Sequence, residues 1–479
     1  MRYIFTFLSF LGCFLTLNMT AQVGINTTSP DPSSVLDIQS EVGGLLTPRM
    51  STTQRLAITS PAQGLLVYDI TLEAFYYYEG AWQKVSINNS RENYKLVKDI
   101  SDLAEELAAG GGSTYLLSSN FLYEINGAII FNAPINMNGA YIEGVDSSQD
   151  IIVNGSGAAL FQGAPGRIRN ITISGGGAPI FDITGTGSDL LVVNNTVFTG
   201  ASTMGTLHSL GTAFFSITQY VNNNDGFELS DIGSLLMSNV FWTTTNTGTF
   251  ATVSGTFNNF QMSSGRIEAD AGEIGIDVSA NPTIVNEASL NGLSFVGAGT
   301  LVSRYTAGSY TDFSFTTDWN VNCSGIPTET DDQSTANFYS TSAITSGFVQ
   351  NITNNNAVPI VGNGVFDNTE LFRFGSNTAK NRLIYEGKKI RNFQVNASLS
   401  IRVNSAAGDF YSFIIAKNGT VLGDSDTLVL IENDSQIQSI SINTVVTLNS
   451  GDFIEIHAQR LTGGGTDRLD VFSENLTIR

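Results

Sequence analysis

Between Thr114 and Trp319 the chain repeats short apolar clusters separated by Gly, Asn and Ser, and helical periodicity is nearly absent. With Ile171, Val197, Ile217, Val240 and Phe260 as markers, successive clusters lie 26, 20, 23 and 20 residues apart, and Leu293 follows 33 residues later. A unit of that size cannot bury its own apolar face. Stacked on its neighbours it shares one continuous core and pairs its backbone along the stack. Clean alternation, as in Glu273-Ile274-Gly275-Ile276-Asp277-Val278, puts one face of each strand inward. Asn194-Asn195 and Asn222-Asn223-Asn224 suit the corners, since Asn tolerates left-handed backbone and stacks in ladders. The pattern predicts a right-handed parallel β-helix of roughly nine coils, about 45 Å long at ~4.8 Å per rung.

Composition narrows what such a chain can do. A length of 479 residues suggests roughly three units. With 42% apolar and 14% charged residues it folds rather than staying disordered. The 22 Lys and Arg against 43 Asp and Glu give a net charge of -21, which repels phosphate backbones and argues against a nucleic-acid partner.

Met1 to Ala21 reads as a secretory signal: Arg2, an apolar run from Ile4 to Leu17, then Met19-Thr20-Ala21 before Gln22. The expected location is secreted or at the cell surface, with no transmembrane segment. A rival reading takes Leu11-Gly12-Cys13 as a lipoprotein acceptor, with the chain anchored through Cys13. Cys323 is the only other cysteine, so no disulfide is expected within the processed chain.

Residues 22–87 carry an ordered series of turn and strand signals, including Gly24-Ile25, Val35-Leu36-Asp37-Ile38, Thr52-Thr53-Gln54-Arg55, Gly64-Leu65-Leu66-Val67-Tyr68 and Phe75-Tyr76-Tyr77-Tyr78. The series resembles an N-terminal module of exported surface and fibre-like proteins of Bacteroidetes. The tyrosine run reads as a strand edge that packs and stacks. After a polar linker at Asn88 to Asn93, Ser101 is expected to cap a short helix that Gly110-Gly111-Gly112 ends, closing one end of the β-helix within residues 94–327.

Residues 328–335, Thr328-Glu329-Thr330-Asp331-Asp332-Gln333-Ser334 and onward, read as a solvated acidic linker. From 336 to 479 the strands lengthen and become antiparallel. Phe393, Val395, Ala397, Leu399, Ile401 and Val403 alternate with polar residues, and Asn418-Gly419 marks a hairpin. Phe393 to Leu399, the hairpin from Ala416 to Thr420 and Val446 to Ile456 together resemble the jelly-roll heads of the tumour-necrosis-factor and complement-C1q type. The resemblance implies a homotrimer, with Phe410, Tyr411 and Phe453 as candidates for the threefold contact, each also suited to the sandwich core. Asp424-Ser425-Asp426 is a turn rather than a metal loop.

Glycosidic cleavage needs two carboxylates held together on one surface, and Asp182, Asp189, Asp225, Asp231, Asp270 and Asp277 show no adjacent pair in the sequence. His208 and His457 fall in different units, which argues against a triad or a zinc site. The Gly-rich stretches lack the Lys-Ser/Thr of a phosphate loop, and no cofactor or catalytic residue is assigned. The sequence reads as an all-β, non-enzymatic fibre-like adhesin or structural surface protein, its β-helix presenting a trimeric head to a surface component such as a glycan. Trp242 and Trp319 are candidate stacking residues for such a ligand. Two alternatives stand beside it: a secreted β-helix polysaccharide lyase or glycosidase, and a prophage tail-fibre or spike protein.

Overall fold

The computed structural model describes residues 22–85, 91–353 and 355–479. The signal segment and Cys13 lie outside them. The chain divides into two compact units, residues 1–91 and 92–479. No helix among the described residues is long and apolar enough to cross a membrane.

The second unit begins as a parallel β-solenoid of about nine turns. One sheet runs from Tyr94–Val97 through successive strands to Trp319–Ser324; a second, nine-stranded sheet runs from Tyr115–Leu116 to Thr300–Ser303. Inward side chains from both sheets form one core extending from Val97 to Cys323. The true period is read from the register, which aligns Ile171, Thr196, Thr218, Val240, Gly265 and Leu293. Successive steps are therefore 25, 22, 22, 25 and 28 residues, so the sequence markers mixed positions from neighbouring columns. Val197 faces outward, and Ile217 sits at a corner.

That corner recurs at one position in each long strand. Asn170, Asn195, Ile217, Asn239 and Ser264 stack in register, all with φ between 47° and 60°. The left-handed residue turns the strand and starts a new inward alternation, and Asn accepts this conformation at little cost. The expected Asn ladder is present at a second corner, where buried Asn223 donates from Nδ2 to Asn246 Oδ1 at 2.9 Å and to the Phe198 carbonyl at 3.1 Å.

A short helical segment, Ile100–Leu103 continuing as Ala104–Ala109, packs Leu103 into the solenoid core. Its cap is Asp99, not Ser101: Asp99 accepts from Ser101 N, while Asp102 reaches back to the Asp99 N–H in a capping box. An ionisable cap also suits the positive helix N-terminus.

The 328–335 segment is not a solvated linker. It folds back on the last rung, where Val321 and Glu329 exchange both backbone hydrogen bonds. Glu329, Asp331 and Ser334 are buried. Arg373 of the following domain pairs with Asp331 at 3.2 Å and donates to the carbonyls of Trp319 at 2.7 Å and Glu329 at 3.1 Å. Burial raises the Glu329 carboxyl to about 7, against the backbone donors of Ser314 and Phe315 and the Arg373 charge. Acidic residues in sequence looked solvated because their partner lies more than forty positions away.

The C-terminal region forms two antiparallel sheets around its own core. One is built on Thr335–Ser340, Asp467–Ile478, Arg391–Asn404 and Gln438–Leu448; the other on Arg382–Tyr385, Phe453–Arg460 and Phe410–Lys417. The alternating residues Phe393 to Val403 all point into this core. Asn418 and Gly419 both take positive φ, 51° and 78°, as a two-residue hairpin requires.

Candidate functional site: the N-terminal module

In the first unit, Val23–Ile25 pairs in parallel with Leu36–Ile38. A separate four-stranded sheet runs in the order Arg49–Met50, Leu66–Asp69, Ala74–Tyr78, Trp82–Lys84. The tyrosine run is thus a central strand and not an edge. Between the first two strands lies a helix, Thr52–Leu56, opened by a capping box in which Ser51 and Gln54 satisfy each other's backbone N–H.

That helix positions Arg55. Its Nε donates to Asp69 Oδ2 at 2.9 Å, and its guanidinium lies 4.0 Å from the Tyr76 ring centroid and 5.4 Å from that of Trp82. Asp69 also accepts from Thr52 Oγ1 and from the N–H groups of Thr71 and Leu72. Burial works to raise the Asp69 carboxyl, but these donors hold it below the ordinary carboxylate range. Sequence reasoning noted Arg55 only within the resemblance. The signal that could have found the pair is the Ser-x-x-Gln cap, which fixes a short helix facing the strand that ends at Asp69.

Arg55, Asp69, Val67 and Ala74 are the only buried residues among the described residues of this unit. Its centre is an ion pair, which contributes little net stability, and Val67 and Ala74 are its only buried apolar side chains among the described residues. Its apolar side chains face outward instead: Val35 is 78% exposed, Leu46 77%, Leu56 63% and Val42 fully so. So much uncovered apolar surface is unusual for so small a module.

The other sequence-derived candidates fall elsewhere. Trp242 is buried in the solenoid, the third ring of a stack with Phe198 and Tyr220. Trp319 is buried too, donating from Nε1 to Tyr305 Oη at 2.9 Å and packing on Phe260 and Phe315. Neither presents a face to a ligand, so both readings as stacking platforms are corrected: inward positions of the rungs claim them. Tyr411 is buried in the sandwich and bonds Asp467. Phe453 lies under the Arg382 guanidinium at 3.9 Å, while Phe410 is partly exposed opposite Leu430. These three do not form one surface cluster. Ser425 is buried and accepts from Ile415 N, making 424–426 a structural turn.

Several solenoid carboxylates serve turns. Asp189 accepts from Thr186 N, Asp225 from Thr249 N and Asp231 from Thr256 N. The fold does align Asp182, Thr206 and Glu228 in one outward column, which puts two exposed carboxylates two rungs, about 9.6 Å, apart. His208 lies 2.8 Å from Ser230 Oγ on the solenoid, whereas His457 is buried in the sandwich 3.2 Å from Glu455. No group of three or more His, Cys, Asp or Glu side chains able to hold a metal ion occurs among the described residues.

Comparison with known proteins bears on the same module. Residues 24–95 match the family described as phage tail like trimerisation region. No curated protein matches the chain. Among solved structures, the tailspike protein 4 enzymatically active domain of bacteriophage CBA120 is 10% identical, covering 90% of this chain and 77% of that one, with a TM-score of 0.23. The tailspike gp49 of Acinetobacter baumannii bacteriophage Fri1, a capsular polysaccharide depolymerase, is 9% identical, covering 90% and 98%, with a TM-score of 0.20. The tumour necrosis factor Eiger of S. frugiperda is 12% identical, covering 30% and 90%, with a TM-score of 0.20. Superpositions of that quality carry no argument about residues or activity.

Proposed function

We propose that this chain is a homotrimeric fibre or spike protein of a phage tail-like assembly, joined through its N-terminal module. One observation carries the reading: the module leaves its apolar side chains uncovered around a buried Arg55–Asp69 pair, in the segment that matches a trimerisation region. The β-solenoid then acts as a spacer, and the C-terminal sandwich, with its jelly-roll likeness, as the part that meets a surface. The reading is tested by electron microscopy of tail-like particles from the producing cell, labelled with antibody against residues 336–479. Label on particles supports it; label confined to the cell surface contradicts it.

The second reading, an exported adhesin, is favoured by the signal-like segment Met1 to Ala21. A surface-borne protein whose N-terminal residue is Gln22 would support that reading. A catalytic spike rests only on the Asp182 and Glu228 column, and release of reducing ends from bacterial polysaccharides, lost in Glu228→Gln, is the measurement that decides it.

A further inference from the structure

Because successive rungs pair in register, outward side chains stack in columns along the solenoid. Two of these columns, one on each sheet, have contrasting chemistry. On the nine-stranded sheet one column opens with Leu116 and then reads Asn136, Gln162, Asp182, Thr206, Glu228 and Thr252, polar beyond its first rung, as a solvated face requires. On the longer sheet the column preceding the left-handed corner reads Tyr94, Leu122, Tyr141, Val192, Phe214 and Leu236. Arg167 interrupts it, lying 4.6 Å over the Tyr141 ring. Beyond Leu236 the column turns polar, with Gln261, Ser289 and Asn320.

The apolar part spans seven rungs, about 29 Å, and its side chains are half-buried in the single chain. A water-facing sheet has no reason to keep so long an apolar stripe. Across the corner the outward columns are mixed: Ile151, Val197 and Phe241 alternate with Thr172 and Gln219, and Ile130 and Val153 are followed by Ser174 and Thr199. A ring of three copies needs two different patches on each chain, and a corner with an apolar stripe on one side and a mixed face carrying Ile130, Val197 and Phe241 on the other supplies them. The first column also begins inside the segment that matches the trimerisation region, since that match runs to residue 95 and Tyr94 is the first residue of the stripe.

We propose that the column from Tyr94 to Leu236 is the surface on which the first seven rungs pack against a second copy of this chain in a ring of three. The proposal rests on the trimer reading above. It assigns the contact to the first part of the solenoid and leaves the outward face around Gln261, Ser289 and Asn320 hydrated.

The test uses the full chain with Cys13→Ala and Cys323→Ala, carrying either Leu236→Cys or Glu228→Cys, the latter on the polar column. Sedimentation first establishes the assembly state, and maleimide labelling rates are then compared. A trimer whose Leu236→Cys variant labels at least tenfold more slowly than its Glu228→Cys variant supports the proposal. A trimer in which both label equally fast overturns it and leaves the trimer reading standing; a monomer removes the trimer reading itself. Hydroxyl-radical footprinting of the unsubstituted chain guards against a misfolded variant: protection of Tyr141 and Phe214 relative to half-buried Tyr339 is expected, and equal oxidation contradicts the proposal.

Discussion

At the residue scale, two side chains sit where their chemistry is least at home. Ile217 occupies the left-handed corner at φ 55° and is 45% exposed, in a column otherwise held by Asn170, Asn195, Asn239 and Ser264. A β-branched residue there costs ~1–2 kcal/mol that Asn largely avoids, so Ile217→Asn is expected to stabilise the chain by about 1 kcal/mol in thermal unfolding. The same residue shows why the corner escaped the sequence. Asn195 announced it, but an isoleucine in the next rung reads as an inward strand position. Glu474 is the second case. It points into the sandwich core opposite Leu399 and accepts from Asn381 Nδ2, while Glu474 Oε2 and Asn381 Oδ1 are buried without a donor. Burial raises its carboxyl to about 8 from an ordinary 4.5, so the folded chain keeps a proton that the unfolded chain has released. That proton supplies a missing donor. Stability is therefore greatest below the unfolded value and falls as pH rises through the folded one, by ~1.4 kcal/mol per unit. Hydrogen exchange of Asp467–Ile478 should quicken between pH 5 and 8, and Glu474→Gln, which stays neutral, should flatten that dependence; an unchanged profile contradicts the assignment.

At the element scale, legibility followed the range of the interactions involved. The strands Arg391–Asn404 and Gln438–Leu448 and the Asn418-Gly419 hairpin were readable because alternation and turn chemistry are local. Rung stacking was readable as a loose period, though its register was not, since loops of different length separate the columns. The junction between solenoid and sandwich could not be read at all. Asp331 is buried and paired with Arg373, a partner that only the tertiary fold brings near, and Glu329 is buried against the N–H groups of Ser314 and Phe315. Removing that arginine leaves Asp331 buried without its cation, which for such pairs costs about 3–5 kcal/mol. Arg373→Met is thus expected to accelerate hydrogen exchange across 314–331 while leaving the rungs before Trp242 unchanged. Equal protection in variant and parent would show that the clasp is dispensable.

For the whole molecule, the decisive feature is that the N-terminal module is built around Arg55 and Asp69 with almost no apolar core. The sequence reads residues 22–87 as one module and expects the threefold contact in the sandwich, at Phe410, Tyr411 and Phe453, whereas Tyr411 is internal and the match to a trimerisation region falls on residues 24–95. Apolar residues read as core from sequence alone, and only the fold shows that in this module Val35, Val42, Leu46 and Leu56 face outward. Loss of the buried pair in Asp69→Ala should accordingly weaken association before it affects the solenoid, seen as dissociation with unchanged β-sheet circular dichroism. The central claim is tested most directly by sedimentation equilibrium of the unsubstituted full-length chain across nanomolar to micromolar concentration. A single species of three times the 51.2 kDa chain mass is the expected result; a monomer throughout that range would contradict the account.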